Sequence, residues 1–417
     1  MSITLDQRMA QTGTRFLIFP QPRYLPFFEE PEVVYVSVPP QEIQPGPADD
    51  RMYVVDAVNK QPYSFFSQPP YRGPANPPIM PGPDGHFDHL DVNNREFSCA
   101  TMYATVRRVL DIWEDYFGRR IEWHFRLNYQ RLELIPLITW DNAQSGYGFL
   151  EFGYGRTPAG GIDRTRPYCQ NFDVLAHELG HSIIFAEVGT PNINANTDEY
   201  GGFHESAGDL VAMISSLHFN KLVERLLENT KGNLFTTNEL NRIGELSENR
   251  QIRELFNYEK MSTVSQEPHE LSLPLTGAIF DVFVEVFQRE LVQAGLISEE
   301  LARRSFHAPD ENEDDDAIQA EFTTAYSGKE EQFKDALFRA RDYLGAVLAE
   351  AWNQLSANNL TYARVGLQLM NSDVTISGGE YQNVIRDCFA WREISLPANS
   401  VAFQIRRLDD CGLMSYH

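Results

Sequence analysis

Asp173-Val-Leu-Ala-His177-Glu178-Leu-Gly-His181-Ser-Ile-Ile-Phe185 is the stretch from which the rest of the chain can be read. Val174, Leu175, Ile183 and Ile184 supply the apolar face of a helix, so the polar residues between them sit in a core and not in a loop. On a helix His177 and His181 are four apart, and both imidazoles leave from one face, where they can bind one metal ion. Glu178 follows the first histidine, about 100° round the helix, near such an ion without needing to ligate it. A carboxylate there can take a proton from a water on the metal and deliver it to a leaving amine. The blander alternative is an accidental pair of histidines on an amphipathic helix.

Two histidines do not fill a catalytic zinc site, which usually takes three protein ligands and a water. The third is expected in Gly201-Gly-Phe-His204-Glu205-Ser-Ala-Gly-Asp209. Glu205 and Asp209 are again four apart on a helical face. Glu205 completes a His-His-Glu set, and Asp209 can accept the free N–H of a ligand histidine, which fixes its tautomer. A third histidine six residues after His181 would define another class of zinc enzyme, but Glu187 stands there. His204 adjoins Glu205 and points elsewhere on the helix.

These residues resemble a thermolysin-like, glutamate-ligand zinc metallopeptidase (a gluzincin). Asp173 stands four residues before the first histidine, as in that family, and Glu205 and Asp209 match its Glu-x-x-x-Asp helix. Asn142-Ala143, before the glycine-rich stretch 146–155, is similar to the family's substrate-binding edge strand, which holds a peptide backbone by strand addition. Pro268-His269-Glu-Leu-Ser272, before Thr276-Gly277-Ala-Ile-Phe-Asp281, resembles the His-x-x-Ser whose histidine donates to the oxyanion. The resemblance further implies Tyr200 as a second oxyanion donor and Arg253, in Ile252-Arg-Glu-Leu255, as an orienting arginine. Asp173, with Asp209, is read as a group outside the ligand set: because the family's calcium acids are lacking, it is expected to serve helix capping or a hydrogen bond instead. Residues 362–393 are similar to the last helices of the thermolysin and fungalysin groups. Two family features are missing. No Asp or Glu occurs between Asp209 and Glu224, so a calcium ion is possible but unsupported. The 85-residue arm reads as too short and too proline-rich to be the family's large prodomain, so self-processing is not among the expectations.

Outward from these motifs, proline sets the first boundary: 16 of the 24 prolines lie before residue 84. Residues 1–85 therefore read as a proline-rich arm with short strands at Val33–Val38 and Met52–Val58. Cys99–Phe117 places Met102, Val106, Val109 and Trp113 at helical spacing and stops at Gly118. Ile121–Asn128 and Leu132–Trp140 read as strands, and residues 145–155 as a hairpin or an edge strand. Helices are expected at Asp173–Val188, Glu205–Leu217, Thr276–Ala294, Lys334–Leu355 and Gln382–Trp391. The expected fold is α+β and two-lobed: a β-rich lobe over residues 86–200, a helical lobe over 201–417, and the zinc site between them. The acidic run Asp310–Asp316 lacks the ligand alternation and glycine of a calcium loop and reads as a solvated charged loop.

The 417 residues carry 35 Lys+Arg against 59 Asp+Glu, a net charge of −24. That balance excludes the phosphate attraction of a nucleic-acid binder and the pull of an anionic membrane. No 18-residue apolar run offers a membrane span, and the first twenty residues lack the apolar core of a signal peptide. A cytoplasmic or leaderless-exported protein is expected. Cys99, Cys169, Cys388 and Cys411 show no CxxC spacing and read as buried or free thiols. The expected activity is that of an endopeptidase with one Zn2+ per chain, acting on peptide or protein substrates. A narrow-specificity zinc exopeptidase, or a latent, non-proteolytic zinc-binding interaction protein, stands as the alternative. Oligomeric state is not legible.

Overall fold

A computed structural model describes residues 5–157, 159–236, 238–240, 242–243, 253–306 and 315–397, with only the backbone of 242–243 and 253–254. It is mixed α+β, with 49% helix and 11% strand. Two compact units emerge: Met1–Glu187 with Ala207–Gly232 and Thr236–Leu255, and Val188–Ser206 with Asn233–Phe235 and Phe256–His417.

The first unit opens with α1 (Leu5–Thr12), β1 (Thr14–Ile18), β2 (Glu32–Val36) and β3 (Met52–Val54). It continues through α2 (Arg95–Phe117), β4 (Leu132–Ile135), β5 (Ala143–Gly146), β6 (Phe149–Phe152), β7 (Tyr154–Arg156), β8 (Ile162–Pro167) and α3 (Phe172–Glu187). Then follow α4 (Asp198–Ser216), whose first half belongs to the second unit, α5 (Asn220–Thr230), β9 (Arg242–Ile243) and β10 (Arg253–Glu254). Met102, Val106, Val109 and Trp113 of α2 are fully buried, and Gly118 closes the helix in the left-handed conformation at φ 64°. The main sheet has the order β3-β4-β6-β5. Its first three strands are parallel, and β5 is an antiparallel edge strand joined to β6 by the Tyr147-Gly148 turn.

Three strand expectations change. Ile121–Asn128 contains no strand: residues 124–128 are turns, with Asn128 N–H donating to Phe125 O at 2.9 Å. Its alternation is real, since Ile121, Trp123 and Phe125 are buried, but its backbone bonds within the turns and, at Ile121, to the Glu114 and Arg51 side chains, with no strand beside it among the described residues. Leu132–Trp140 is a strand only to Ile135, because Pro136 cannot donate to a ladder. Met52–Val58 shortens to β3, and the first strand of the arm finds an unexpected antiparallel partner in β1.

The proline-rich arm is fastened to one face of this sheet by buried polar groups. Lys60 pairs with Glu151 of β6, both almost fully buried. Glu151 also accepts from Tyr63 N–H at 2.6 Å and from the Gln144 amide of β5. Glu133 of β4 accepts from Tyr53 O–H at 2.8 Å, Tyr63 O–H at 2.5 Å and Tyr71 N–H at 2.9 Å. Burial first, and then the hydrogen bond to Glu133 and its charge, push the Tyr63 phenol far above its ordinary range. A buried carboxylate is tolerable only when paired and hydrogen-bonded in this way.

The second unit is helical among the described residues: α6 (Pro268–Gln293), α7 (Glu299–Phe306), α8 (Asp315–Tyr326), α9 (Glu330–Gln354), α10 (Tyr362–Ser377) and α11 (Gln382–Trp391). Pro268 starts α6 eight residues before the expected Thr276; Glu267 caps it by accepting from the N–H groups of His269 and Glu270. Arg392 is buried beside Asp281 at 2.8 Å and also donates to Asn257 Oδ1 and Glu259 O. Burial pushes the Asp281 carboxyl up to about 6, and the guanidinium opposes that rise. A Cβ on Gly277 would lie 2.6 Å from the Arg392 guanidinium carbon, so the glycine admits the arginine. Most of the acidic run Asp310–Asp316 lies outside the described residues, and its last two residues open α8.

Candidate metal centre

The centre is built on α3 and α4, which meet backbone to backbone at a pair of glycines. A Cβ on Gly180 would stand 2.8 Å from Gly208 Cα, and one on Gly208 would stand 2.6 Å from His177 Nδ1. Only glycine at both places lets the helices close and leaves the imidazole its room. Ile183 and Ile184 of α3 and Val211 of α4 are fully buried.

His177, His181 and Glu205 each present one ligand atom, all within 4.8 Å of one another. The two imidazoles are nearly perpendicular, at 87°, with centroids 4.8 Å apart. Ligand atoms sharing a tetrahedral zinc lie about 3.3 Å apart, so closing the set needs side-chain shifts on the order of an ångström. The donor chemistry, two imidazoles and a carboxylate, fits a metal ion of the zinc type. His177 Nδ1 is 2.9 Å from Asp209 Oδ1, and both groups are buried. That bond places the proton on Nδ1 and leaves Nε2 as the donor atom for a metal. Glu205 sits one helical turn before Asp209 on α4, so one helix carries the ligand and the orienting carboxylate. His204 is buried, with its ring 5.1 Å from Tyr200, and does not join the set.

The other expected site residues fall as follows. Glu178 is half-buried on α3, directly after His177. His269, at the start of α6, is exposed; its Nε2 stands 3.4 Å from Glu205 Oε2 and its Nδ1 2.7 Å from Glu267 Oε1. Tyr200, on α4, donates its hydroxyl to Gly189 O at 2.7 Å, and burial pushes its pKa up to about 12. Asp173 is buried and accepts from the Gln21 amide of the arm at 3.0 Å. Asn142 precedes β5, its carbonyl accepting from Gly153 N–H, and Ala143 opens β5 opposite Phe152. Arg253 lies in β10, with its side chain outside the described residues. Ser145 Oγ of β5 lies 3.2 Å from Ser182 Oγ of α3, a link that sequence reasoning missed. It ties the edge strand to the residue after His181. A half-buried His124 was also missed: its ring packs on Phe185 of α3 and on Tyr147, and burial lowers its pKa to about 4.

Asp209→Ala should weaken metal binding by about 10–100-fold, because the imidazole loses the bond that orients it. A competition titration against a metal indicator reads this directly. Asp209→Asn, which keeps one acceptor oxygen, should recover part of the affinity, whereas a merely structural loss would follow the melting temperature instead.

No family model matches the chain, and no curated protein matches it. Among solved structures the chain is similar to the precursor of protealysin, a metalloproteinase from Serratia proteamaculans, at 13% identity. The match covers 69% of this chain and 88% of that one, with a TM-score of 0.36. At that score the likeness decides neither fold nor chemistry, and the functional reading stands on the donor set.

Proposed function

We propose that the chain is a zinc-dependent endopeptidase of thermolysin-like, two-lobed design. The observation that carries this reading is the convergence of His177, His181 and Glu205 on one point, with Glu178 adjoining the first ligand. The three ligands would hold zinc through two imidazole nitrogens and one carboxylate oxygen. When bound, the ion supplies Lewis acidity, polarising a substrate carbonyl and lowering the pKa of water towards 7.

The chain's own residues do the rest. Glu178 takes a proton from the attacking water as its oxygen bonds to the scissile carbonyl carbon. Glu178 then passes that proton to the amide nitrogen as the C–N bond breaks, leaving a carboxylate and an amine. Asp209 keeps His177 in the tautomer that can ligate. His269, near Glu205 and open to solvent, donates from its ring to the developing oxyanion; Tyr200 can add a second donor only by turning from Gly189. Asn142 and Ala143 hold the substrate backbone along β5, while Arg253 orients the histidine and the substrate carbonyl.

The test is hydrolysis of an internally quenched peptide and of casein at neutral pH. Activity should vanish with a chelator and return with about one equivalent of zinc per chain. Zinc uptake without any hydrolysis would favour a metal-binding interaction protein, and trimming of single terminal residues would favour an exopeptidase.

A further inference from the structure

The arm does more than cover the sheet. Lys60, Tyr63 and Tyr71 lie on the face formed by Glu133, Phe149, Glu151 and Gln144, with the Tyr63 and Phe149 rings 4.7 Å apart. Tyr63 N–H donates to Glu151 on β6, whereas its carbonyl faces the Gln144 amide on β5 at 3.4 Å. Tyr63, two residues before the tip of the loop, therefore stands over the pair formed by Glu151 of β6 and Gln144 of the edge strand β5. The backbone then reverses in a tight turn, with Ser64 N–H to Ser67 O at 3.2 Å and Ser67 N–H to Ser64 O at 3.1 Å. By Tyr71 it is back over Glu133 on β4. At the tip of this loop stand Phe65 and Phe66, 90% and 94% exposed, with rings edge to face at 5.4 Å.

Two adjacent phenylalanines this exposed, on a turn whose flanks at Tyr63 and Tyr71 are held by buried carboxylates, are costly unless something apolar meets them. The occupant follows from the strand beside them. Among the described residues β5 pairs with β6 alone, so its outer edge is open. Successive side chains of a strand point to opposite faces. Ser145 faces α3, where it meets Ser182, and Gln144 faces the arm. An extended peptide added to that edge would present alternate side chains to α3 and to the Phe65–Phe66 turn. We propose that this turn is a specificity element, selecting a large apolar side chain on the arm-facing position of an extended peptide bound along β5. The inference rests on the peptidase reading and adds a subsite built from the N-terminal arm.

The experiment uses a set of matched peptides that differ only in one residue, Phe, Leu or Ser, scanned through successive positions. Wild-type chain loaded with zinc should prefer Phe and Leu over Ser by about tenfold at the arm-facing position, mainly through KM. The Phe65→Ser/Phe66→Ser double variant should keep its melting temperature, because both side chains are almost wholly exposed. It should lose most of that preference while cleaving the Ser peptide as wild type does. The same peptides are also titrated onto the Glu178→Gln chain, with and without the double substitution, so that selectivity is read without turnover. Undiminished preference in the double variant would overturn the inference and leave the peptidase reading intact. Preference in binding without hydrolysis by wild type would remove the peptidase reading and keep the subsite. Loss of binding to neutral lipid vesicles, with peptide selectivity unchanged, would make the tip a membrane contact and overturn the proposal.

Discussion

Glu178→Gln is expected to leave zinc bound and to lower peptide hydrolysis by at least about 100-fold and up to about 10,000-fold. The substitution keeps the size of the side chain and removes its capacity to accept a proton. His177, His181 and Glu205 remain, so metal stoichiometry and melting temperature should match the wild type. His269→Ala makes the informative contrast. It should also keep its metal, but lose about 100–1000-fold, chiefly in kcat, as expected for one donor to a developing oxyanion. Full activity in zinc-loaded Glu178→Gln would end the proposed mechanism. Wild-type turnover in His269→Ala would remove only the oxyanion role, and leave His269 as a surface group held by Glu267 and Glu205.

His181→Ala is expected to cost more metal affinity than any change to an orienting group. Loss of such a partner costs about 10–100-fold, and a missing ligand removes a bond as well as an orientation, so the loss should exceed about 100-fold. His181 is only half-buried, and its ring is not the one braced by Asp209. The fold should therefore survive, with near-wild-type helix content by circular dichroism. Glu205→Gln should show a milder loss, because an amide oxygen still points at the ion but carries no charge. Undiminished zinc binding in His181→Ala would mean that the ion is held elsewhere, and the His-His-Glu set would no longer explain any activity.

The metal helices were legible because ligand spacing is local. His177 and His181, or Glu205 and Asp209, must share a face on any α-helix, whatever surrounds it. Helix starts were less legible: α6 begins at Pro268, where a proline at the first helical position and the Glu267 cap decide the matter. Ile121–Asn128 shows the opposite failure. Alternating burial is a statement about side chains, and turns can satisfy it as well as a strand can. The fastening of the arm was invisible for a different reason, since it joins residues 62 to 91 positions apart. A signal was nonetheless present: Leu-Glu133-Leu-Ile and Phe-Leu-Glu151-Phe each set one acid in a wholly buried strand. An isolated carboxylate in such a strand demands a partner from elsewhere in the chain. Tyr200 carried no such signal, because nothing local shows that its hydroxyl turns to Gly189.

The same fastening dictates an order of events during biosynthesis. Lys60 and Glu151 are 91 residues apart, and the arm is made before the strands that hold it. At about 5–20 residues per second, roughly 5–20 s pass between the two leaving the peptidyl-transferase centre. Throughout that interval Lys60 and the Tyr63 N–H have no Glu151 to settle on. The proline content of the segment suits the wait, because an extended, well-solvated chain resists premature collapse. Docking of the arm is thus a late, long-range closure, and α3, made directly after the hairpin, can pack on the opposite face of β5 as soon as it emerges. The two histidines of α3 are then made before α4 supplies Glu205, so a nascent chain can offer a metal ion two imidazoles before it can offer the carboxylate.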